Sequence, residues 1–247
     1  MNTWIIIDVP NLVWRSYYGR KMNLSEAIIS FAASINYLSE RFLSNNFVFC
    51  FDSKYNLRRE VYPYYKSKEG RNKKEEDKRI VGYTLDYLKN EFLLEEGYVN
   101  IFEKKGYEAD DIIASIVLNL PKKDESVIVS TDKDLWQLIE ENVSIWNYKS
   151  LMTLERFSAK YEIHPTNWKK VKSISGCASD NIQGVHGVGE NTAIKFLLMK
   201  LANGKIYRRI LDEWDSTVKR NLKLIELPYP GTGRFNLQAK RSGNESL

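Results

Sequence analysis

The sequence predicts an α/β protein, a mostly parallel sheet with helices on both faces, followed by a smaller helical region. Three observations carry this. Short apolar, β-branched runs alternate with longer segments of helical apolar spacing. The strand signals stop near Leu154. Beyond that point helical segments are broken by Gly184, Gly187, Gly189 and Gly204. Strands that alternate with helices imply right-handed crossovers, hence parallel neighbours.

In chain order, residues 3–9 read as a buried strand ended by Pro10. A helix is predicted over 24–43, with Ala27, Ile28, Phe31, Ile35, Leu38 and Phe42 on one face and Asn23 or Ser25 as its cap. Phe47–Phe51 is a second strand, ending at Asp52. A polar, basic and aromatic stretch follows, then a helix from about Asp77 to Glu96 and a short strand over Val99–Phe102. A helix begins at Ala109, with Ile112, Ile113, Ile116, Val117 and Leu120 on one face. Ser126–Ser130 is a strand, Leu135–Glu140 a short helix and Val143–Trp146 a further strand. These divide the chain into an α/β unit over 1–153 and a helical region over 154–227. A flexible tail over 228–247 is expected from its Gly, Ser, Asn and Pro content.

The 247 residues and 28.9 kDa suffice for one large domain or two small ones. No apolar run approaches the roughly 18–20 residues of a membrane span. The run Trp4–Ile7 is halted by Asp8 and lacks the flanks of a signal peptide. Two cysteines, Cys50 and Cys177, are too few for a disulfide framework, and with only His164 and His186 they do not make a paired Cys/His zinc module. A reducing cytoplasm is the expected compartment. The net charge is +5, and residues 54–79 alone hold ten Lys/Arg against five acids. The positive excess of the whole chain is therefore concentrated in that stretch, as a polyanionic partner would require.

The acids are placed more tellingly than they are numbered. Asp8 ends the first strand, Asp52 the second, and Asp132 and Asp134 follow the strand 126–130. Glu108, Asp110 and Asp111 open a helix. In a parallel sheet these ends share one edge, beyond which open α/β folds bind ligands. Single acids at such places also serve as caps, but all of them together would crowd one rim. Two carboxylates ~4 Å apart repel by about 4 kcal/mol at an effective dielectric of ~20. Protons or cations must relieve that, and an oxygen-only donor set selects hard ions such as Mg²⁺ or Mn²⁺. Room for two ions suggests two-metal hydrolysis of a phosphodiester.

Gly184-Val185-His186-Gly187-Val188-Gly189 precedes an apolar helical run that opens with Thr192 and Ala193 and carries Lys195. No strand precedes it and no Gly-Lys-Ser/Thr ends it, so it is neither a dinucleotide fingerprint nor a P-loop. A helix–hairpin–helix that grips nucleic-acid backbone fits the spacing, as does an ordinary glycine turn. In the basic stretch, Tyr62, Tyr64 and Tyr65 lie among cations, the composition of a sequence-blind single-strand funnel.

The segments Asp8–Arg15, Pro63–Lys66, Glu108–Asp111, Ser130–Leu138 and Ser179–Gly189 occur in the order seen in the 5′-nuclease family. This family includes phage-type flap endonucleases and the 5′–3′ exonuclease domain of bacterial DNA polymerase I, and the resemblance covers roughly residues 3–225. It implies a PIN-like α/β fold with a helix–hairpin–helix variant (H3TH) around which K⁺ sits. It implies metal-binding roles for Asp8, Asp52, Glu108, Asp110, Asp111, Asp132, Asp134 and Asp180. Lys66, Arg15 and Arg71 match residues near the scissile phosphate, and the stretch over about 54–80 matches an arch that passes a 5′ single strand. DNA contacts are expected from Lys68, Tyr65, Gly184, Gly187, Gly189, Thr192 and Lys195.

Three departures mark this chain. Cys177 stands where the family has an Asp, which predicts a weaker second metal site. Asn191 replaces a lysine, a contact that Lys195 is placed to supply. Lys66 and Lys68 both suit the catalytic lysine, and Pro63 with Tyr65 favours Lys66. The implied activity is structure-selective, metal-dependent 5′ nuclease action on DNA ends, flaps or junctions, by a monomer that meets a replicative polymerase. The rivals are a branched-DNA binder with little catalysis and a PIN-type ribonuclease. A phosphatase is disfavoured, because Val9 and Pro10 follow Asp8.

Overall fold

The computed structural model describes residues 1–20, 22–67 and 75–239. Strands β1 (Thr3–Asp8), β2 (Asn46–Phe51), β3 (Ile101–Glu103), β4 (Glu125–Val129), β5 (Val143–Trp146) and β6 (Leu151–Met152) form one sheet in the order 3-2-1-4-5-6. The first five are mutually parallel, and β6 folds back antiparallel on β5. The central strands β1, β2 and β4 are apolar along nearly their whole length because both of their faces are covered.

One face packs on α1 (Val9–Arg20), α2 (Leu24–Phe42) and, past the short α3 (Arg58–Val61), on α4 (Glu75–Tyr87). A π-helical turn, Leu88–Phe92, joins α4 to α5 (Leu93–Glu95). The α2 start is set by a capping box in which Asn23 and Glu26 exchange side-chain and backbone bonds. Helix α1 departs from the sequence expectation. Pro10 does not stop the chain; it sits in the first turn of a helix, where its missing N–H costs nothing. The strand expected at 99–102 is the edge strand β3, and the helix expected at 135–140 is a 3₁₀ segment, Asp134–Leu138.

The other face packs on α6 (Ala109–Asn119), and the same apolar core takes in the C-terminal helices α7 (Leu154–Tyr161), α8 (Trp168–Ser175), α9 (Glu190–Leu197) and α10 (Lys205–Asp212), with α11 (Lys219–Ile225) packed on α8. One apolar core runs from Ile6, Val48 and Ile128 through Trp136 and Phe157 to Trp168 and Ile194. Between α8 and α9 lies a small hairpin of β7 (Gly176–Cys177) and β8 (Ile182–Gln183). Residues 228–239 correct the expected loose tail. They run back along α6 and β3, where Phe235 packs on Phe102 and Gln238 exchanges hydrogen bonds with Asn100. Aromatic and backbone groups that composition counts as tail residues there find partners 118 to 138 positions away. No described helix is long and apolar enough to cross a membrane.

Candidate active site

Because β1, β2 and β4 run parallel in near register, their C-terminal ends reach one edge together, with Asp8 opposite Cys50 and Ile7 opposite Val129. Asp8 ends β1, Asp52 follows β2, and the loop after β4 carries Asp132 and Asp134. The N-terminus of α6 delivers Glu108, Asp110 and Asp111 to the same edge. Asp8 accepts hydrogen bonds from Ser130 Oγ (2.8 Å) and from the Asn11 backbone N–H (3.1 Å). The Ala109 N–H donates to Asp52 (2.9 Å), and the Asp134 N–H donates to Asp132 (2.8 Å). Backbone donors thus aim the carboxylates without neutralising them.

The electrostatics follow. Burial, with the charge of Asp52 beside it, pushes the Asp8 carboxyl up to about 7. Desolvation at the rim and the charge of Glu108 raise Asp52 against the pull of Lys66, although Asp52 keeps an exposed surface. Burial with Asp132 and Asp8 raises Asp110 well above the carboxylate range. Among the described residues no Lys or Arg forms an ion pair with Asp8, Asp52, Asp110 or Asp132. These four offer only oxygen donors, in mutual repulsion, at a partly open edge; that chemistry fits a hard divalent cation.

Asp111, next in the chain to Asp110, is corrected by the structure. It is wholly buried, and each of its oxygens is used twice. Arg58 grips it through Nη1 (2.6 Å) and Nη2 (2.7 Å), while the backbone N–H groups of Glu108 (3.1 Å) and Tyr229 (2.8 Å) take the remaining positions. Four donors fill the lone-pair sites of a carboxylate, so Asp111 has none left for a metal. Arg58 is 2% exposed and donates through Nε to the Leu224 carbonyl. One cation counted in the basic stretch is therefore a structural ion inside the fold. Composition could not reveal this, because the partner lies 53 residues away.

Lys66 enters the rim itself. Its ammonium contacts Glu108 and lies 3.7 Å from Asp180, and its backbone N–H donates to the Asp180 carbonyl (2.9 Å). Burial pushes Glu108 up, but Lys66 and Arg58 outweigh it and hold the carboxyl down at about 2. Tyr65 corrects a second expectation. It is 3% exposed and donates its hydroxyl to Glu108 (2.6 Å), so it is no stacking platform for bases. Tyr64, 61% exposed with its ring 5.8 Å from that of Tyr62, keeps that possibility. Arg15 stacks over the ring of Tyr148 at 4.3 Å, and Tyr148 faces Asp8. Lys68 and Arg71 lie outside the described residues.

A second group closes the rim on the hairpin side. Donor atoms of Asp134, Cys177 and Asp180 lie within 4.8 Å of one another. Burial, Asp134 and Asp180 push the Cys177 thiol up to about 12. Burial and Asp132 raise Asp134 to about 7, although Lys172 stands 3.6 Å from it. Lys172 escaped the sequence reading, since nothing in an amphipathic helix marks which lysine turns toward an acid.

The glycines divide. A Cβ on Gly184 would meet Ser175 C at 2.2 Å and Gly176 N at 2.4 Å, so Gly184 serves backbone-to-backbone packing and not the approach of a phosphate. Gly187 takes a positive φ of 77°, and Gly189, the N-cap of α9, has open space where its Cβ would be. Thr192 is half-buried and Lys195 exposed on α9. Asn221, fully buried, ties Ser173 (2.9 Å) to Gln183 (2.8 Å) and so pins the hairpin from α11.

Residues 3–162 match the family model of the 5′–3′ exonuclease N-terminal, resolvase-like domain. A 5′–3′ exonuclease of Buchnera aphidicola is 34% identical over 230 residues, covering 89% of this chain and 77% of that protein. DNA polymerase I of Deinococcus radiodurans is 32% identical over 207 residues, covering 79% of this chain but 21% of the polymerase. In fold, the chain resembles the T5 D15 protein co-crystallised with metal ions (TM-score 0.75, 23% identity, 92% of this chain and 90% of that one). It also resembles the catalytic core of Rad2 with DNA substrate (TM-score 0.58, 14% identity, 96% and 84%).

Proposed function

The chain belongs to the 5′–3′ exonuclease family, and from that premise we propose that it is a structure-selective, divalent-metal-dependent 5′ nuclease hydrolysing DNA phosphodiesters at 5′ ends, flaps or junctions. The observation that carries the reading is the convergence of Asp8, Asp52, Asp110 and Asp132 on one sheet edge, with desolvation and neighbouring carboxylates raising three of the four. Those four, with Glu108, would hold Mg²⁺ or Mn²⁺ on one side of the rim. Asp134, Cys177 and Asp180 would hold a second ion on the other. Bound there, divalent ions supply a water of lowered pKa and offset the charge of the phosphate.

The rest falls to the chain's own groups. The Lys66 ammonium, between Glu108 and Asp180, is placed to donate to a non-bridging phosphate oxygen as charge builds on it. Burial works against its charge, but Tyr65, Glu108 and Asp180 outweigh burial and hold it well above the usual lysine range. Arg15, oriented by the Tyr148 ring, guards the same edge near Asp8. The open N-terminus of α9 at Gly189, with Thr192 and Lys195, suits duplex backbone, which backbone N–H groups and cations can grip without reading sequence. Tyr62 and Tyr64 offer faces to unpaired bases. K⁺ at the hairpin, a monomeric state, a replicative polymerase as partner and a cytoplasmic location complete the reading. So does the division into units over 1–153 and 154–227.

The test uses 5′-labelled flap DNA, blunt duplex and RNA of matching sequence, each with Mg²⁺, Mn²⁺ or chelator. Cleavage of the flap with either ion, and none with chelator, is expected. Flap binding without cleavage would overturn the enzymatic reading, and preference for RNA the substrate. Lys66→Ala is expected to lower single-turnover rates about 100-fold or more, with Lys68→Ala affecting mainly binding; the reverse pattern would move the catalytic role to Lys68.

A further inference from the structure

The two sides of the rim differ in donor chemistry. Cys177 Sγ lies 3.7 Å from Asp134 Oδ2 and 3.6 Å from Asp180 Oδ2. Two backbone pieces supply the donors: the first residue of the 3₁₀ segment Asp134–Leu138, and the continuous run from β7 into the 3₁₀ turn Ala178–Asp180. A second observation points to a missing ligand. Asp134 is 8% exposed, and its Oδ1 is buried without a hydrogen bond among the described residues. The ammonium of Lys172 stops 3.6 Å short of it, an ion-pair distance and not a hydrogen bond. Leaving such an oxygen unbonded is costly, and a cation held by this carboxylate would offset that cost.

We infer that Asp134, Cys177 and Asp180 form a thiolate-containing cation site that takes a thiophilic divalent ion, of the zinc, cobalt or cadmium kind, in preference to Mg²⁺. The inference deepens the proposed nuclease reading and rests on it. Mg²⁺ demands oxygen ligands in near-octahedral array and gains little from sulfur, whereas thiolate bonds strongly to softer ions. On binding, the Cys177 S–H bond breaks, a sulfur–metal bond forms, and the proton passes to water. Lys66, 3.7 Å from Asp180, and Lys172 repel every divalent ion alike. They lower absolute affinity and leave the order of preference to the sulfur.

The test titrates the whole protein with Co²⁺ or Cd²⁺ alone and follows sulfur-to-metal charge-transfer absorption. A band is expected in the wild type and in Cys50→Ser, since Cys50 is buried in β2, and is expected to vanish in Cys177→Ser. Calorimetry on Cys177→Asp is expected to show the Cd²⁺-to-Mg²⁺ affinity ratio falling by at least about tenfold. No band in the wild type, a band that survives Cys177→Ser, or an unchanged ratio in Cys177→Asp would each overturn the inference. The wild-type spectrum stands whether or not a variant folds. Flap cleavage with Mg²⁺ but no band would sink this site and spare the nuclease; a band without cleavage would do the opposite.

Discussion

The front and back of the α6 N-terminus treat carboxylates in opposite ways. At the front, Asp8 and Asp52 are supplied with backbone donors, no cation among the described residues pairs with either of them or with Asp110, and burial with neighbouring carboxylates pushes all three up. At the back, Asp111 is buried more deeply than any of these, yet Arg58 and two backbone N–H groups saturate it. Glu108 sits at the seam and is held down by Lys66 and Arg58. Burial alone therefore does not decide what a carboxylate does. The working edge lies where the fold withholds a cation, and the scaffold lies where it provides one.

The largest expected effect tests the front. Asp110→Asn should lower flap cleavage on the order of 1,000-fold, about 4 kcal/mol of barrier, while its urea midpoint stays at or above that of the wild type because one repelling charge is gone. A matching fall in stability would show that the front is scaffold after all. Next comes the back. Arg58→Ala strands Asp111 as a buried, unpaired charge and should cost about 3 kcal/mol in urea denaturation. A loss below about 1 kcal/mol would mean that water replaces the guanidinium and the back is open too.

The hairpin repeats the contrast on a smaller scale. Gly184→Ala drives a methyl into Ser175 and Gly176 backbone, and should destabilise by about 1–3 kcal/mol. Gly189→Ala meets open space and at most weakens a helix cap, so it should cost less than about 1 kcal/mol by thermal melting. Duplex-DNA affinity should nevertheless fall for Gly189→Ala, because the methyl occupies the approach to the α9 N-terminus. Equal melting losses for the two glycines would erase the distinction between a packing glycine and a contact glycine.

Much of this was legible in the residues. The buried strands at 3–8, 46–51 and 125–129 are readable from apolar runs, and their parallel arrangement from the helices between them. The acids at strand ends then had to meet, since parallel strands finish on one edge. Pro10 misled because it ends strands and begins helices with the same ring. Residues 228–239 misled because a loop composition says nothing about distant partners such as Asn100 and Asp111.

What the sequence determined by itself is what depends on near neighbours: strand and helix periodicity, the capping box at Asn23, the glycines, and the rule that carboxylates at parallel strand ends share a rim. The tertiary structure alone decided how each acid is paid in counter-charge. Asp110 and Asp111 are indistinguishable as neighbours in the chain; one turns toward the open edge and the other toward Arg58. Periodicity is local and survives in any window of sequence. Charge compensation is set by distance through space, and it exists only once residues far apart in the chain have been folded together.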